Sequence, residues 1–251
     1  MAIPTAGLIS KWDAFDPACY NPASPTQLTD LVGSIAIPIG GAPVFNATEG
    51  SLEFSGADYA YTAGGTRPFI NYGGNWTIST WVKFRDVSAD QFQIFLLGNR
   101  NAPIANDNNG LLIWMVTDTG AVTYKYQTYA QNKTITPDNY GGIDTWNNIT
   151  LTGNYNFGYE VRVYWNGVNK TLTNPFNNTA TLSGDSRLYY SGFPGMTYSN
   201  NAVYGPMLIY NQTKSAQDVQ DIYDFYINRL NTPPAYAGNV GGRLFGEGLN
   251  G

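Results

Sequence analysis

The chain contains no histidine, few charged residues and a single cysteine. Without histidine, catalysis by Ser-His-Asp or Cys-His groups and every histidine-ligated metal site are excluded. Charged residues make up 12% of the 251 residues, roughly half of the share that is usual in globular domains. The net charge of −5 gives no basic excess for neutralising phosphates, which argues against a nucleic-acid partner. The exterior must therefore consist largely of neutral polar groups and tyrosines.

Long apolar runs and a secretion signal are also missing. No segment approaches ~18 uninterrupted apolar residues, so we expect no transmembrane helix and no membrane insertion. The amino-terminal segment, Met1–Gly7, lacks the basic and apolar regions of a signal peptide, so we expect synthesis in a cytoplasm without secretory export. Cys19 has no second cysteine with which to form an internal disulfide, and we expect it to act as a small apolar residue.

Short segments rich in β-branched and aromatic residues recur between Gly, Asn, Asp and Pro clusters, which is typical of an all-β protein. The alternation in Trp76–Phe84 predicts a strand with one face in a core and the other in solvent. Val122–Gln127 alternates again, and Leu111–Val116 is apolar on both faces, as in a central strand covered on both sides. A turn at Asp118-Thr119-Gly120 predicts that these last two segments form a hairpin.

Two further local signals are clear. Glu160–Trp165 alternates and is followed by Asn166-Gly167, which favours a tight hairpin turn because both residues tolerate positive φ. Ser215 with Asp218 three residues later predicts the capped start of a helix. Apolar residues then recur at helical spacing, and Pro233 and Pro234 follow the helix. The apolar stripe consists of Val219, Ile222, Tyr223, Tyr226 and Leu230.

A family resemblance rests on six segments whose order and spacing agree between about Gly7 and Leu230. They are Gly7–Ala14, Gly50–Tyr59, Trp76–Lys83, Trp146–Leu151, Arg162–Gly167 and Leu208–Ser215. Together they resemble the concanavalin A-like lectin/glucanase superfamily, in its laminin-G and pentraxin-like branch. The resemblance implies an all-β fold, a two-sheet antiparallel jelly-roll β-sandwich with one short C-terminal helix. We expect this domain to occupy residues 1–232.

Residues 233–251 are expected to form a glycine-rich C-terminal tail. The part from Ala235 to Gly251 holds six glycines and no strand or helix pattern, a composition that usually gives a flexible segment. The tail also carries one basic and three large apolar residues, which a simple spacer would not require. It is therefore a candidate docking peptide. These candidate partner-docking residues are Arg243, Leu244, Phe245 and Leu249.

Enzymatic activity is not expected. Some members of the superfamily hydrolyse β-glucans, and their motif places two glutamates on either side of an aspartate. Retaining hydrolysis needs two carboxyl groups about 5–5.5 Å apart. This chain has four glutamates, none in that pattern, and Ser51 stands between Glu49 and Glu53 where the aspartate would be. A glucanase with a diverged motif remains an alternative.

Calcium is the one cofactor that the resemblance implies. In this branch an acidic residue in the block that matches Ser55–Tyr59 often ligates calcium, and here that residue is Asp58. The second acidic position of the family corresponds to Tyr204–Leu208, which contains no acid. Since calcium takes six to eight oxygen ligands, the alternative is that Asp58 caps a turn.

Candidate glycan ligands lie in the loop 99–109, which is rich in amide donors and acceptors. Sugar sites of sandwich lectins combine such groups with an aromatic platform, and Trp114 could supply one. An asparagine-rich turn without a ligand is the alternative. The candidate ligand-binding residues are Asn99, Asn101, Asp107, Asn108, Asn109 and Trp114.

The neutral, aromatic and amide-rich composition without disulfides suggests an extracellular lectin-like domain, although the sequence shows no secretion signal. A virion protein released by cell lysis would reconcile them, and lectin-like sandwiches of this kind resemble accessory domains of phage tails and capsids. We therefore expect a non-enzymatic structural virion protein, either a capsid decoration or a tail or fibre appendage. Its expected partners are other virion proteins, copies of itself and host-surface glycans. A cellular carbohydrate-binding module exported without a leader is the alternative.

Overall fold

The structure is a computed structural model that describes residues 2–33, 35–56, 58–62, 74–85, 92–98, 110–118, 121–128, 131–135, 143–154, 160–170, 187–191 and 202–232. In 92–98, 110–118, 121–128 and 131–135, and at Glu160, Arg187 and Tyr189, it describes the backbone alone.

The described ranges form strands and one helix. The strands are β1 (Leu8–Trp12), β2 (Gln27–Thr29), β3 (Ala36–Gly40), β4 (Val44–Asn46), β5 (Ser51–Phe54), β6 (Tyr59–Tyr61), β7 (Trp76–Phe84), β8 (Phe92–Gly98), β9 (Gly110–Asp118), β10 (Ala121–Thr128), β11 (Gln131–Ile135), β12 (Trp146–Asn154), β13 (Glu160–Trp165), β14 (Val168–Asn169), β15 (Arg187–Ser191) and β16 (Ala202–Tyr210). The helix is α1 (Ala216–Asn231).

The strands build two eight-stranded sheets. The first has the order β14-β13-β12-β7-β16-β5-β4, with β1 also paired to β16. The second has the order β11-β10-β9-β8-β15-β6-β3-β2. Every strand pairing in the described ranges is antiparallel. The all-β sandwich with a C-terminal helix is thereby confirmed.

The local strand predictions are confirmed as elements. Trp76–Phe84 and Glu160–Trp165 coincide with β7 and β13. Leu111–Val116 lies within β9, which pairs with β8 on one side and β10 on the other, so it is a central strand. At the predicted tight turn, Asn166 and Gly167 have φ values of 49° and 79°, as a two-residue hairpin of this type requires.

The main core lies between the two sheets, because alternate residues of each strand point inward. Phe54 and Tyr204 of the first sheet surround Tyr190 of the second, and all three are at most 1% exposed. The ring centroids of Phe54 and Tyr204 lie 5.4 Å apart in an edge-to-face arrangement. The Tyr190 hydroxyl donates a hydrogen bond to the carbonyl of Gly205, where the register of β16 shifts. The hydroxyl of a buried tyrosine therefore supplies a hydrogen bond to a backbone carbonyl at the point where the strand pairing is irregular.

The helix covers the outer face of the first sheet and forms a second core there. Its apolar residues Ile222, Tyr226 and Leu230 pack on outward-facing side chains that include Trp81 and Tyr210. The prediction that one face of β7 meets solvent is therefore wrong: all nine residues of β7 are buried. The reason is that α1, which follows much later in the chain, removes that face from water.

Local chemistry explains where α1 begins. The Ser215 side chain accepts a hydrogen bond from the backbone N–H of Asp218, and the Asp218 carboxylate accepts one from the backbone of Ser215. This capping box satisfies two amides that a helix start leaves without intrahelical partners.

In the part of the chain that the structure describes, no helix is both long and apolar enough to cross a membrane.

Candidate functional site

Of the residues that the sequence suggested for binding, only Asp58 has a described side chain. Trp114 lies on β9, and its backbone pairs with Lys125 of β10 and Gln93 of β8. The remaining candidates fall outside the described residues, so they stay predictions. They are Asn99, Asn101, Asp107, Asn108, Asn109, Arg243, Leu244, Phe245 and Leu249.

Asp58 joins two neighbouring connections of the sandwich. Its Oδ1 accepts a hydrogen bond from the backbone N–H of Ala42 at 2.8 Å. Its Oδ2 accepts bonds from the backbone N–H and the hydroxyl of Ser55, at 3.0 and 3.3 Å. Gly41 has a φ of 85°, and a Cβ there would lie 2.1 Å from Oδ1, so the turn passes too close for a side chain. Asp58 therefore fixes the start of β6 against the end of β3.

These contacts do not fit a calcium site. Three of the roughly four acceptor positions of the Asp58 carboxylate already receive protein donors. Among the described residues, no group of three or more Asp, Glu, Cys or His side chains is placed to hold a metal ion. Calcium needs six to eight oxygen ligands, several of them anionic. Calcium binding at Asp58 stays a prediction, and no step below depends on it.

Just after Asp58 in the chain, two tyrosines of β6 lie on the outer face of the second sheet. Ala60 of β6 is fully buried in the main core, so Tyr59 and Tyr61 project from the opposite face and are half-buried. Their ring centroids lie 5.4 Å apart, with an angle of 47° between the ring planes. We call these two side chains the tyrosine pair.

A glycine sets the position of the Tyr59 ring. Gly40 of β3 pairs with Tyr59 across the sheet. A Cβ at residue 40 would lie 2.0 Å from Cζ of Tyr59 and 2.4 Å from its hydroxyl oxygen. The ring therefore rests directly on the Gly40 backbone, where every other residue would displace it.

The tyrosine pair belongs to a row of residues that crosses four strands. Ile39 pairs with Ala60, so the same register brings Pro38 level with Tyr61. Pro38 pairs with Gln27 of β2 on its other side, and Tyr61 pairs with Tyr189 of β15. Gln27 and Pro38 are exposed. The row thus combines aromatic and apolar surface with a side-chain amide, the combination found in small-molecule sites.

Two of the four glutamates, Glu49 and Glu53, have described side chains, and both lie in ion pairs. Glu49 forms an ion pair with Lys83, whose side chain is only 5% exposed. Glu53 pairs with Arg85 at 3.1 Å, and Arg85 also contacts Asp144 at 2.6 Å. Each of these two glutamates is thus held by its own cation.

No protein-family model matches the chain, and no curated protein matches it by sequence. Its backbone is nevertheless similar to solved structures. Trypanosoma rangeli sialidase in complex with sialic acid matches with a TM-score of 0.67 and 15% sequence identity, over 89% of this chain and 33% of the sialidase. The chain therefore shares a two-sheet β-sandwich fold with part of this sialidase.

Two other structures support this fold. A mutant of HCR/D matches with a TM-score of 0.64 and 17% identity, over 89% of this chain and 52% of that protein. Domain 4 of AbnA, a GH43 extracellular arabinanase from Geobacillus stearothermophilus, in complex with arabinotriose, matches with a TM-score of 0.57 and 15% identity. That match covers 87% of this chain and 98% of the domain. The chain therefore corresponds to a third of the sialidase and to nearly all of the arabinanase domain.

Within this β-sandwich, the sequence did not predict the tyrosine pair. The signal was present as Tyr59-Ala60-Tyr61, in which two aromatic residues flank a small one at strand spacing. A strand of three residues is too short for alternation to stand out, and the chain contains nineteen tyrosines. The decisive information is the burial of Ala60 and the position of Gly40 under the Tyr59 ring, which only the fold provides.

Proposed function

We propose that the chain is a non-enzymatic, lectin-like carbohydrate-binding domain. The observation that carries the proposal is the tyrosine pair on the outer face of the second sheet. Tyrosine combines an apolar ring with a hydroxyl, so it can contact the apolar face of a sugar and a sugar hydroxyl at once. Further support comes from the fold, since the similar arabinanase domain, which the match covers almost completely, was solved with arabinotriose.

Binding would proceed by stacking and by exchange of hydrogen bonds with water. A sugar ring placed on Tyr59 or Tyr61 covers apolar ring surface, which favours association. The sugar hydroxyls lose water and need replacement partners. Among the described residues, the tyrosine hydroxyls and the amide of Gln27, which also donates to the Thr29 hydroxyl at 3.3 Å, offer neutral donors and acceptors on this face. Because the Tyr59 ring already packs on Gly40 and contacts the Tyr61 ring, little further side-chain entropy would be lost on binding.

The absence of catalysis is part of this proposal. The chain has no histidine, and Glu49 and Glu53 are both in ion pairs with buried or half-buried cations. Incubation with laminarin followed by reducing-sugar detection tests this point. We expect no release of reducing sugar above a buffer control, and release by the purified chain would refute the non-enzymatic assignment.

A glycan array probed with the full chain tests the binding function. We expect micromolar binding to a limited set of glycans. An array without any bound glycan, confirmed by calorimetry on the best candidates, would refute the proposal.

We further propose that this domain is synthesised in a host cytoplasm and displayed on a virion, as a capsid decoration or a tail or fibre appendage. Its support lies in the sequence: a charged fraction of 12% leaves an amide-rich and aromatic exterior that suits contacts with neighbouring proteins. Mass spectrometry of purified particles tests it. Presence at many copies per particle is expected, and absence from particles would refute the virion role without affecting carbohydrate binding.

A further inference from the structure

We propose that the tyrosine pair is the sugar-binding subsite, and that it takes two consecutive rings of a neutral, linear oligosaccharide lying along β6. This inference rests on the proposed carbohydrate-binding function and adds to it a ligand class, a minimum ligand length and a direction of the ligand along β6. Three observations carry it: the spacing of the two rings, the charge beside them and the glycine that positions Tyr59.

The spacing of the rings indicates a ligand of at least two sugars. The two centroids lie 5.4 Å apart, which is comparable to the length of one sugar unit in a linear chain. The ring planes are inclined by 47°, and successive sugars of a linear chain are also rotated with respect to each other. A monosaccharide can cover only one of these rings, whereas a disaccharide can cover both.

The charge around the pair favours a neutral ligand. Strands β2, β3 and β6 contain no lysine or arginine. Arg187 begins β15, where its backbone pairs with Gly98, two residues before Tyr189. A sugar carboxylate on the pair would therefore find no lysine or arginine on these three strands, within a protein of net charge −5, which disfavours an anionic ligand.

Gly40 acts as a positioning residue for this subsite. The Tyr59 ring lies on its backbone, and a Cβ at residue 40 would overlap the ring. Replacing Gly40 by alanine should therefore move the ring without removing it. If Gly40→Ala loses sugar binding while its thermal midpoint is unchanged, then binding requires the Tyr59 ring in its present position and not only the presence of a tyrosine.

Isothermal titration with defined sugars tests the inference. We expect the dissociation constant to fall about tenfold from arabinose to arabinobiose, because the second ring becomes covered. Tyr59→Ala, Tyr61→Ala and Gly40→Ala should each weaken arabinobiose binding about tenfold. Phe225→Ala is the matched control, since Phe225 is a half-buried aromatic residue of α1 on the opposite side of the sandwich. It should leave binding unchanged, and circular dichroism should show that every variant is folded.

The outcomes separate this inference from the function on which it rests. Glycan binding that survives both tyrosine substitutions would overturn the location and leave the proposed function intact. Equal affinity for arabinose and arabinobiose would overturn the two-ring ligand. Tighter binding of sialyllactose than of lactose would overturn the preference for neutral sugars. If the wild-type chain binds neither these sugars nor any glycan of the array, the proposed function itself fails.

Discussion

At the scale of single residues, one buried ion pair connects the two ends of the domain. Asp13, just after β1, has a side chain that is 2% exposed, and Arg229 of α1 binds both of its carboxylate oxygens. Replacing Arg229 by methionine leaves a buried charge without its main partner. We expect a loss of about 3–5 kcal/mol in the free energy of unfolding, measured by urea denaturation.

The double variant Asp13→Asn with Arg229→Met is the control for this ion pair. It removes both charges, so it should be less destabilised than Arg229→Met alone. Lys11 approaches the same carboxylate at 3.9 Å and could compensate in part. A single variant that loses less than about 1 kcal/mol would mean that the pair is no more important than a surface contact.

Cys19 provides a second prediction at this scale. Burial raises the pKa of its thiol from the usual 9.0 to about 12. Only the thiolate is nucleophilic, and at pH 8 roughly one molecule in ten thousand would carry it. We therefore expect no reaction of the native protein with a thiol reagent such as DTNB within minutes, and stoichiometric reaction after unfolding in urea. Rapid labelling of native protein would contradict the buried position.

The same pKa shift predicts loss of stability in alkali. The unfolded thiol ionises near pH 9 and the folded thiol only near pH 12, so its contribution is complete below pH 9 and declines from there to pH 12. Burial also raises the pKa of Tyr190 and Tyr226, which extends the decline above pH 10. Urea midpoints should fall between pH 8 and pH 10.5. Cys19→Ala should make this fall shallower, and an identical slope in that variant would exclude the thiol as a contributor.

At the scale of elements, the capping box determines where α1 begins. Ser215→Ala removes the side-chain acceptor for the N–H of Asp218, and we expect a loss of about 1 kcal/mol in the free energy of unfolding. Gln217→Ala, at an exposed position of the same first turn, is the control and should change the stability by no more than a few tenths of a kcal/mol. Equal stability of the Ser215→Ala variant would show that packing on Trp81 alone sets the start of the helix.

Elements were predictable from the sequence where their signal is local. The alternation in β7, the Asn166-Gly167 turn and the Ser215 cap each depend on neighbouring residues only, and each is confirmed. Burial was less predictable, because the outer face of β7 is covered by a helix distant in the chain. The tyrosine pair was missed for the same reason: its geometry depends on Gly40, which belongs to another strand.

At the scale of the whole molecule, the two outer faces of the sandwich differ in how far their aromatic residues are buried. The first sheet places Trp81, Leu208 and Tyr210 on its outer face, and all are fully buried under or beside α1. The second sheet leaves Tyr59 and Tyr61 half-exposed at its β6 strand. A face covered by the helix and a face with two half-exposed tyrosines therefore lie on opposite sides of one core. This division makes the helix part of the folded domain and places the proposed ligand away from it.

Two truncations test this organisation and the predicted domain boundary at residue 232. A chain of residues 1–232 keeps α1, so it should retain the thermal midpoint and the sugar affinity of the full chain. A chain of residues 1–214 loses α1 and would expose Trp81, Leu208 and Tyr210 together, a large apolar patch that promotes aggregation. We expect this shorter chain to be recovered mainly in the insoluble fraction. Soluble, cooperatively folded 1–214 would show that the helix is dispensable, and a destabilised 1–232 chain would place the residues after 232 within the folded domain.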